Sequence, residues 1–224
     1  GEAIRSIHRP ESRDAMEAAR RRFVYQELLM LQLALRLHRG QQDVRQTAPP
    51  IDIDSRLDSR IKALFSHEFT AAQKRVCVEI ASDMRQPKPM NRLLQGDVGS
   101  GKTAVAAYCM LATAATSVLG DNSEEDSSST RSSGRFQAAI MAPTELLARQ
   151  HYDTLTSLLA ERGSSLQVGL LVGGQRVAER RKLREQIESG EIQLVVGTQA
   201  LICSEAAFAN LGLVVIDEQH RFGV

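Results

Sequence analysis

The sequence predicts an α/β fold, a parallel β-sheet with flanking helices, preceded by one long N-terminal helix. From residue 59 onward, short apolar runs alternate with helical stretches, which is typical of a parallel sheet covered by its connecting helices. Before that, the chain from Ser12 to Arg39 contains no glycine or proline, so it can form one uninterrupted helix. The predicted domains are a helical connector and linker at 1–58 and an α/β domain at 59–224.

The predicted N-terminal helix has a start signal at Ser12, a favourable N-cap residue, and a stop signal at Gly40. It is apolar over more than one face, so we expect it to pack as a strut against a neighbouring domain. A core helix of a small bundle is an equally good interpretation. Residues 41–55 contain Pro49 and Pro50 and are predicted to be a linker.

Within the α/β domain, each predicted strand is a short apolar run and each predicted helix lies between two of them. The predicted strands are 92–95, 137–142, 167–172, 193–196 and 211–216. The predicted helices are 102–119, 145–160 and 176–189. The segment 120–134 is rich in serine and acidic residues, so we expect a disordered surface loop there.

Composition excludes several classes of protein. The chain has 224 residues, of which 42% are hydrophobic and 25% charged, as in ordinary globular domains. Lys and Arg number 28 and Asp and Glu 27, so the net charge of +1 gives no global attraction to nucleic acid or to an anionic membrane. Any such binding must come from local groups.

No membrane anchor or secretion signal is predicted. The longest apolar stretch, 28–37, is interrupted by Gln32 and Arg36 and falls far short of the roughly 20 residues of a membrane span. The first ten residues lack an apolar signal core, so a cytoplasmic location is expected. Three widely spaced cysteines, Cys77, Cys109 and Cys203, are predicted to be reduced core thiols rather than disulfides or a metal site.

The first segment that predicts chemistry is a glycine-rich phosphate-binding loop. It fits the pattern G-x-x-x-x-G-K-[ST] and stands between a predicted strand and a predicted helix, where such a loop must stand. Its residues are Gly96, Asp97, Val98, Gly99, Ser100, Gly101, Lys102 and Thr103. Glycines let backbone N–H groups surround phosphates, and the following helix directs its positive end at them. Lys102 is predicted to neutralise the β and γ phosphates, and Thr103 to offer its hydroxyl to Mg²⁺.

The second segment is the apolar run 213–216, which ends in Asp217 and Glu218. The carboxyl end of a parallel strand is the usual ligand edge of an α/β sheet. Together with the loop, Asp217 is predicted to hold Mg²⁺ through water and Glu218 to orient the attacking water. The pair of segments predicts an ATP hydrolase.

Other patterns in the sequence suggest alternative functions or have more than one interpretation. Residues 171–175 (LVGGQ) are similar to the signature loop of ABC-type transport ATPases, but they lie too far before the acidic pair. A binding module without catalysis is the third hypothesis. His8, His38, His67 and His151 show no metal-ligand spacing and are interpreted as surface or core residues. The charged run 179–188 is interpreted as a solvated helix face, with a DNA-facing basic stripe as the alternative.

Four segments strongly resemble the RecG family of superfamily 2 DNA helicases, and they span much of the chain. They are 69–111, 141–151 (MAPTELLARQH), 197–202 (GTQALI) and 214–224 (VVIDEQHRFGV). The N-terminal ARRRFVYQELLMLQLALRLHR is similar to the connector that joins a wedge domain to the motor in that family. Transcription-repair coupling factors share much of this pattern, but the residues 217–220 (DEQH) favour the RecG family.

The resemblance implies a RecA-like lobe and assigns further residues by position. Phe69, Thr70 and Gln73 correspond to an adenine-recognising motif, so ATP is the expected nucleotide. Gln219 and His220 correspond to residues that sense the γ-phosphate. Residues implied to contact the DNA backbone are Pro143, Thr144, Glu145, Gly173, Gly174, Gly197, Thr198 and Gln199. Gln199 departs from the family, which usually has His there, and the serine-rich insertion is a second departure.

The resemblance also implies partners. Superfamily 2 motors close two RecA-like lobes over ATP, and the second lobe supplies an arginine finger. The sequence ends four residues after His220, so we expect the second lobe and the wedge domain elsewhere in a longer parent chain. Branched DNA is the expected partner, with no membrane and a monomeric state. This chain by itself is expected to bind ATP and Mg²⁺ and to hydrolyse ATP negligibly.

Overall fold

The computed structural model describes residues 2–45, 47–117, 134–160, 165–203 and 207–222. The chain forms two compact units, Gly1–Thr47 and Ala48–Val224. The predicted loop at 120–134 lies outside the described residues except for Gly134. Within the described ranges, no helix combines the length and the hydropathy that a bilayer span requires.

The first unit consists of two helices, α1 (Glu2–His8) and α2 (Arg13–Arg45). Ser12 caps α2 as predicted, because its Oγ accepts a hydrogen bond from the Ala15 N–H at 3.1 Å. The helix continues through Gly40 instead of ending there. One interior glycine costs only about 1 kcal/mol relative to alanine, too little to end a helix of this length.

The second unit contains six helices and four strands among its described residues. The helices are α3 (Ser55–Lys62), α4 (Ala71–Met84), α5 (Lys102–Ala115), α6 (Glu145–Ala160), α7 (Val177–Glu188) and α8 (Ala200–Cys203). The strands are β1 (Gln137–Met141), β2 (Val168–Leu171), β3 (Leu194–Gly197) and β4 (Leu211–Ile216). A 3₁₀ helix, Gln219–Phe222, follows β4 directly.

The four strands form one sheet in the order β2-β3-β1-β4, and every neighbouring pair is parallel. In register, Ile140 of β1 lies between Val196 of β3 and Val215 of β4. Because all strands run the same way, their carboxyl ends lie along a single edge. The segments that follow β1, β2, β3 and β4 therefore lie beside one another there.

Alternate residues of the inner strands pack against different helices, as the period of two in a strand requires. On one face, Ala138, Ile140 and Val196 belong to the main core with α5 and α6. On the other face, Ala139 and Val195 pack against residues of α7, including Ile187. The sheet is therefore covered on both sides, which explains why its inner strands are continuous apolar runs.

Two predictions about the chain before α5 differ from the structure. Residues 92–95 form no strand, although four other strands lie close to their predicted bounds. A strand depends on a ladder partner, whereas this segment is held by Arg92, whose guanidinium contacts Asp83 and Glu79 of α4 at 2.8 and 2.9 Å. In the predicted linker, Ile51 and Ile53 are buried in the core of the second unit. The functional boundary at 58/59 stays a prediction.

Cys77 and Cys109 are buried free thiols, as predicted. Burial raises the pKa of the Cys77 thiol to about 11 and also raises that of Cys109. Both thiols are therefore protonated at neutral pH and poorly suited to act as nucleophiles. The side chain of Cys203 lies outside the described residues.

Candidate functional site

The glycine-rich loop has the backbone that its sequence requires. Gly99 and Gly101 adopt φ angles of 81° and 80°, a left-handed conformation that side chains disfavour. At Gly96 an added Cβ would lie 2.8 Å from the Ser100 Oγ, so the loop closes tightly on itself. The helix α5 begins at Lys102, immediately after Gly101, and Gly101 provides no side-chain cap for it. The loop thus presents a helix N-terminus suited to an anion.

The Lys102 ammonium lies inside the loop. Its Nζ donates hydrogen bonds to the carbonyl oxygens of Gly96 at 2.7 Å and Asp97 at 2.9 Å. A phosphate placed in the loop would compete with these neutral acceptors for the ammonium. A phosphate carries negative charge, so it adds an attraction between opposite charges that a neutral carbonyl lacks, and the phosphate has the advantage.

Thr70 and Gln73 connect α4 to this loop. They form a reciprocal capping box at the start of α4, in which Gln73 Oε1 accepts from the Thr70 N–H at 2.8 Å. The Gln73 Nε2 also donates to the Ser100 carbonyl at 3.0 Å. A glutamine amide has two N–H donors and two acceptor lone pairs, so one of each is still available to an adenine.

Phe69 occupies a different environment. Its ring is 6% exposed and makes edge-on contacts with Phe65 and Tyr108, at centroid distances of 4.9 and 5.9 Å. This packing supports a positioning role, in which Phe69 fixes the chain just before Thr70. A direct contact between Phe69 and a nucleotide stays a prediction.

Asp217 is anchored through both its backbone and its side chain. Its N–H donates to the Met141 carbonyl of β1 at 2.9 Å. Its Oδ2 lies 2.8 Å from the Nε2 of His151, a residue of α6 whose side chain is only 10% exposed. The Asp217 side chain itself is 32% exposed, so the carboxylate is reachable from solvent.

Glu218 differs from its neighbour in both backbone and environment. It is the one non-glycine residue with a positive φ, 49°, among the residues that the structure describes. Such backbone strain costs on the order of 1–3 kcal/mol and persists where the surrounding structure enforces it, often at functional sites. The Glu218 Oε2 lies 3.3 Å from Nδ1 of His220, in the 3₁₀ helix, and both side chains are well exposed.

A small cavity lies between the end of the loop motif and the histidine that contacts Asp217. Thr103, the last residue of the loop motif, and His151, the partner of Asp217, both line it. Its remaining lining residues are Ala107, Met110, Ile140, Thr154 and Leu155. His151 therefore links the two segments, which are more than a hundred residues apart in sequence: it lines a cavity with Thr103 and contacts Asp217.

The donor set suits magnesium. The Thr103 hydroxyl and the Asp217 carboxylate supply the hard oxygen ligands that Mg²⁺ prefers. No group of three or more His, Cys, Asp or Glu side chains that could hold a metal occurs in the described part of the chain. Magnesium characteristically binds through one or two protein oxygens while keeping waters and substrate phosphates, so two ligands are sufficient here.

The residues implied to contact DNA follow three neighbouring strands. Pro143 and Thr144 follow β1, Gly173 follows β2 and Thr198 follows β3, and these strands are adjacent in the sheet. Gly197 must remain a glycine, because an added Cβ would lie 2.5 Å from the Leu171 carbonyl. Gln199 is exposed at the same edge.

Two of these segments are tied together directly. The Glu145 Oε1 accepts a hydrogen bond from the Gly174 N–H at 3.2 Å. On the other side of the turn, Arg180 of α7 donates to the Gly173 carbonyl at 2.7 Å. Glu145 thus shapes the glycine turn. Arg180 also places part of the charged run 179–188 at this edge.

The sequence reasoning missed His151, which it interpreted as an ordinary surface or core residue. A usable signal was present in the helical periodicity. The buried residues of α6 are Ala148, His151, Leu155 and Leu159, spaced by three or four. A histidine in an otherwise apolar stripe needs a polar partner, and the acids at the end of a neighbouring strand were candidates.

Comparison with known protein families matches the DEAD/DEAH box helicases over residues 70–224. The chain is 42% identical to the ATP-dependent DNA helicase RecG of Synechocystis, over 99% of the chain and 24% of that protein. It is 44% identical to RecG of Bacillus subtilis, over 100% of the chain and 30% of that protein. It is 40% identical to RecG of Thermotoga maritima, over 100% of the chain and 26% of that protein.

A solved structure of RecG bound to a three-way DNA junction superposes with a TM-score of 0.79 at 38% identity. The match covers 99% of this chain and 27% of that one. The resemblance drawn from the motifs and the predicted RecA-like parallel sheet with flanking helices are both confirmed. The chain spans less than a third of the length of these relatives.

Proposed function

Because this chain belongs to the DEAD/DEAH box helicase family, we propose that its second unit is the first ATP-binding lobe of a RecG-type DNA helicase. One observation carries the proposal for ATP binding. His151 lines a small cavity together with Thr103 of the loop motif and contacts Asp217 of the acidic pair at 2.8 Å.

In this proposal the loop binds the triphosphate. The backbone N–H groups of 96–103 and the N-terminus of α5 receive the phosphates, and Lys102 turns from its two loop carbonyls to the β and γ oxygens. The α4 capping box holds the loop through Gln73 and Ser100. Gln73 then uses its second N–H and its second lone pair to recognise adenine.

Thr103 and Asp217 would hold the magnesium ion. When bound, Mg²⁺ neutralises charge that develops on the β and γ phosphate oxygens. Asp217 would act through water, since its Oδ2 already accepts from His151. Glu218, whose backbone lies in the left-handed region, would orient the attacking water and accept its proton. Gln219 and His220 would sense the γ-phosphate, His220 through its contact with Glu218.

We assign the DNA side of the lobe to the ends of β1, β2 and β3. The segments 143–145, 173–174 and 197–199 would receive backbone phosphates, through N–H groups and small side chains. Contacts with phosphates do not distinguish one base from another, so this lobe would bind DNA without sequence preference. Branched DNA is proposed as the substrate of the parent protein because the structural relative is bound to a three-way DNA junction.

The whole protein would hydrolyse ATP to remodel branched DNA, while this chain alone would turn ATP over slowly. An arginine finger from a second lobe typically contributes 10³–10⁵ in rate. The alternative, a DNA translocase of the transcription-repair coupling type, would use the same site in the same way. The ABC-type alternative gains no support from the family match.

The experiment uses the parent protein with a forked DNA. We expect DNA-stimulated ATP hydrolysis that Lys102→Ala and Glu218→Gln each abolish, with Mg·ATP binding retained in Glu218→Gln. The matched control is Lys88→Ala, which removes an exposed lysine outside the loop. Normal turnover by Glu218→Gln would remove Glu218 as the water activator, and normal nucleotide binding by Lys102→Ala would contradict the loop assignment.

A further inference from the structure

The proposed function gives the buried histidine of α6, His151, no role beyond its contact with Asp217. We propose that His151 is a positioning residue for magnesium. By donating a hydrogen bond from Nε2 to the Asp217 Oδ2, it orients the carboxylate so that Oδ1 faces the metal and its waters. The inference rests on the proposed function and names a further residue of the same site.

The geometry of the pair supports a directed contact. The Nε2–Oδ2 distance is 2.8 Å, in the range of a hydrogen bond to a charged acceptor. A carboxylate only accepts, so the imidazole Nε2 must carry the proton. The His151 side chain is 10% exposed, so water competes weakly for this bond.

The ring cannot easily leave its position. His151 belongs to the buried stripe of α6, between Ala148 and Leu155, which fixes the helix against the core. The backbone of Asp217 is fixed as well, by its hydrogen bond to Met141. With both partners held, the carboxylate has one preferred orientation before any ligand binds, which is what a preformed metal site requires.

The position of His151 relative to the glycine-rich loop supports a role for its contact with Asp217 in magnesium binding. His151 lines a small cavity with Thr103 and contacts Asp217, so it lies beside both proposed magnesium ligands. Groups that hydrogen-bond a metal-ligating carboxylate tune metal affinity, and removing one typically costs 10–100-fold in affinity or activity. His220 cannot substitute, because its contact is with Glu218.

The test measures how magnesium strengthens nucleotide binding by the 224-residue chain. The probe is the fluorescent analogue mant-AMP-PNP, titrated with and without Mg²⁺. His151→Phe fills the ring volume without a donor, and His151→Gln places an amide N–H at a similar reach. The matched control, Thr154→Val, alters the same cavity at a hydroxyl that donates to the Gln150 carbonyl.

We expect His151→Phe to lower the Mg²⁺-dependent gain in affinity about tenfold or more, with the magnesium-free affinity changed less than about twofold. His151→Gln should restore most of the gain and Thr154→Val should match the unaltered chain. An unchanged magnesium response in His151→Phe would overturn the role of His151 alone. Failure of magnesium to strengthen binding by the unaltered chain would overturn the proposed function, and this inference with it.

A second measurement needs no variant and decides the case if His151→Phe does not fold. Long-range ¹H–¹⁵N spectra of the unaltered chain report which imidazole nitrogen carries a proton. We expect Nε2 of His151 to be protonated and its signals to shift when Mg·AMP-PNP is added. An unprotonated Nε2, or signals that ignore magnesium, would overturn the proposal.

Discussion

The inner strands β1 and β3 differ sharply in burial from the edge strand β4, and the proposed acids follow the more exposed strand. Every residue of β1 and β3 is buried, whereas Val214 and Ile216 of β4 are 54% and 46% exposed. The DNA-facing segments follow β1, β2 and β3. The acids follow β4, and in the glycine-rich loop nearby Val98 is fully exposed.

This contrast indicates different sources of order on the two sides. The DNA-facing turns follow strands that pack against helices, and hydrogen bonds of Glu145 and Arg180 hold the glycine turn as well. On the nucleotide side, the loop tip at Val98 and the strand residues Val214 and Ile216 are exposed, so we expect lower local stability in these segments and a larger gain from ligand binding. Four predictions, in decreasing order of effect, probe this difference.

Truncations on β3 and β4 should have unequal costs. Leu194 of β3 is fully buried, so Leu194→Ala should lower the free energy of unfolding by about 2–5 kcal/mol. Val214→Ala on β4 should cost below about 1 kcal/mol, because the side chain is half exposed. Urea denaturation measures both, and equal costs would contradict the contrast.

Ligand should stabilise the weaker side. At a concentration 100 times its Kd, Mg·AMP-PNP should add about 2.7 kcal/mol to the free energy of unfolding. For a chain of this size that raises Tm by several degrees, measurable by differential scanning fluorimetry. Lys102→Ala should lose the shift and Lys88→Ala should keep it. A shift retained by Lys102→Ala would place the ligand elsewhere.

Alkaline pH should lower the free energy of unfolding through the buried Cys77 thiol. The pKa of Cys77 is raised by burial from 9.0 to about 11, so the folded state binds the proton more tightly. The resulting stability is fully present below the unfolded pKa and is lost as pH rises from about 9 through about 11. The loss should be on the order of 2 kcal/mol. Cys77→Ala should make the loss shallower between those pH values, while Cys109 and Tyr108, whose pKa values burial also raises, keep part of it. An unchanged slope would exclude a contribution from Cys77.

The turn contact of Glu145 should contribute least. Glu145→Ala leaves the Gly174 N–H to solvent and should cost below about 1 kcal/mol, whereas Glu145→Gln keeps an acceptor and should cost less. The control is Glu179→Ala on the exposed face of α7. Denaturation measures the three variants, and a cost above about 2 kcal/mol would mean that the turn is more than a local contact.

Local patterns sufficed where a segment's own residues decide its structure. The apolar run 211–216 is β4 at the predicted bounds, and 145–160 is α6 at the predicted bounds. The glycine loop was identifiable because its backbone needs glycine at 99 and 101. The RecA-like sheet and the helicase family followed from such segments and from their order along the chain.

Features that depend on a partner distant in sequence were beyond local patterns. The segment 92–95 has the composition of a strand, yet pairing is a property of two segments, and Arg92 is bound to α4 instead. The buried Ile51 and Ile53 were hidden in a proline-containing stretch that resembles a linker. The bond between His151 and Asp217 joins residues 66 positions apart, so spacing could not reveal it.

The proposed function depends on one magnesium nucleotide being held by the glycine loop and the acidic pair together. Hydrogen–deuterium exchange of the chain with and without Mg·AMP-PNP tests this joint binding, since peptides covering 96–103 and 214–222 report separately. We expect slower exchange in both peptides and little change in one covering 170–176. Protection of the loop without protection of the acidic pair, or of neither, would contradict joint binding.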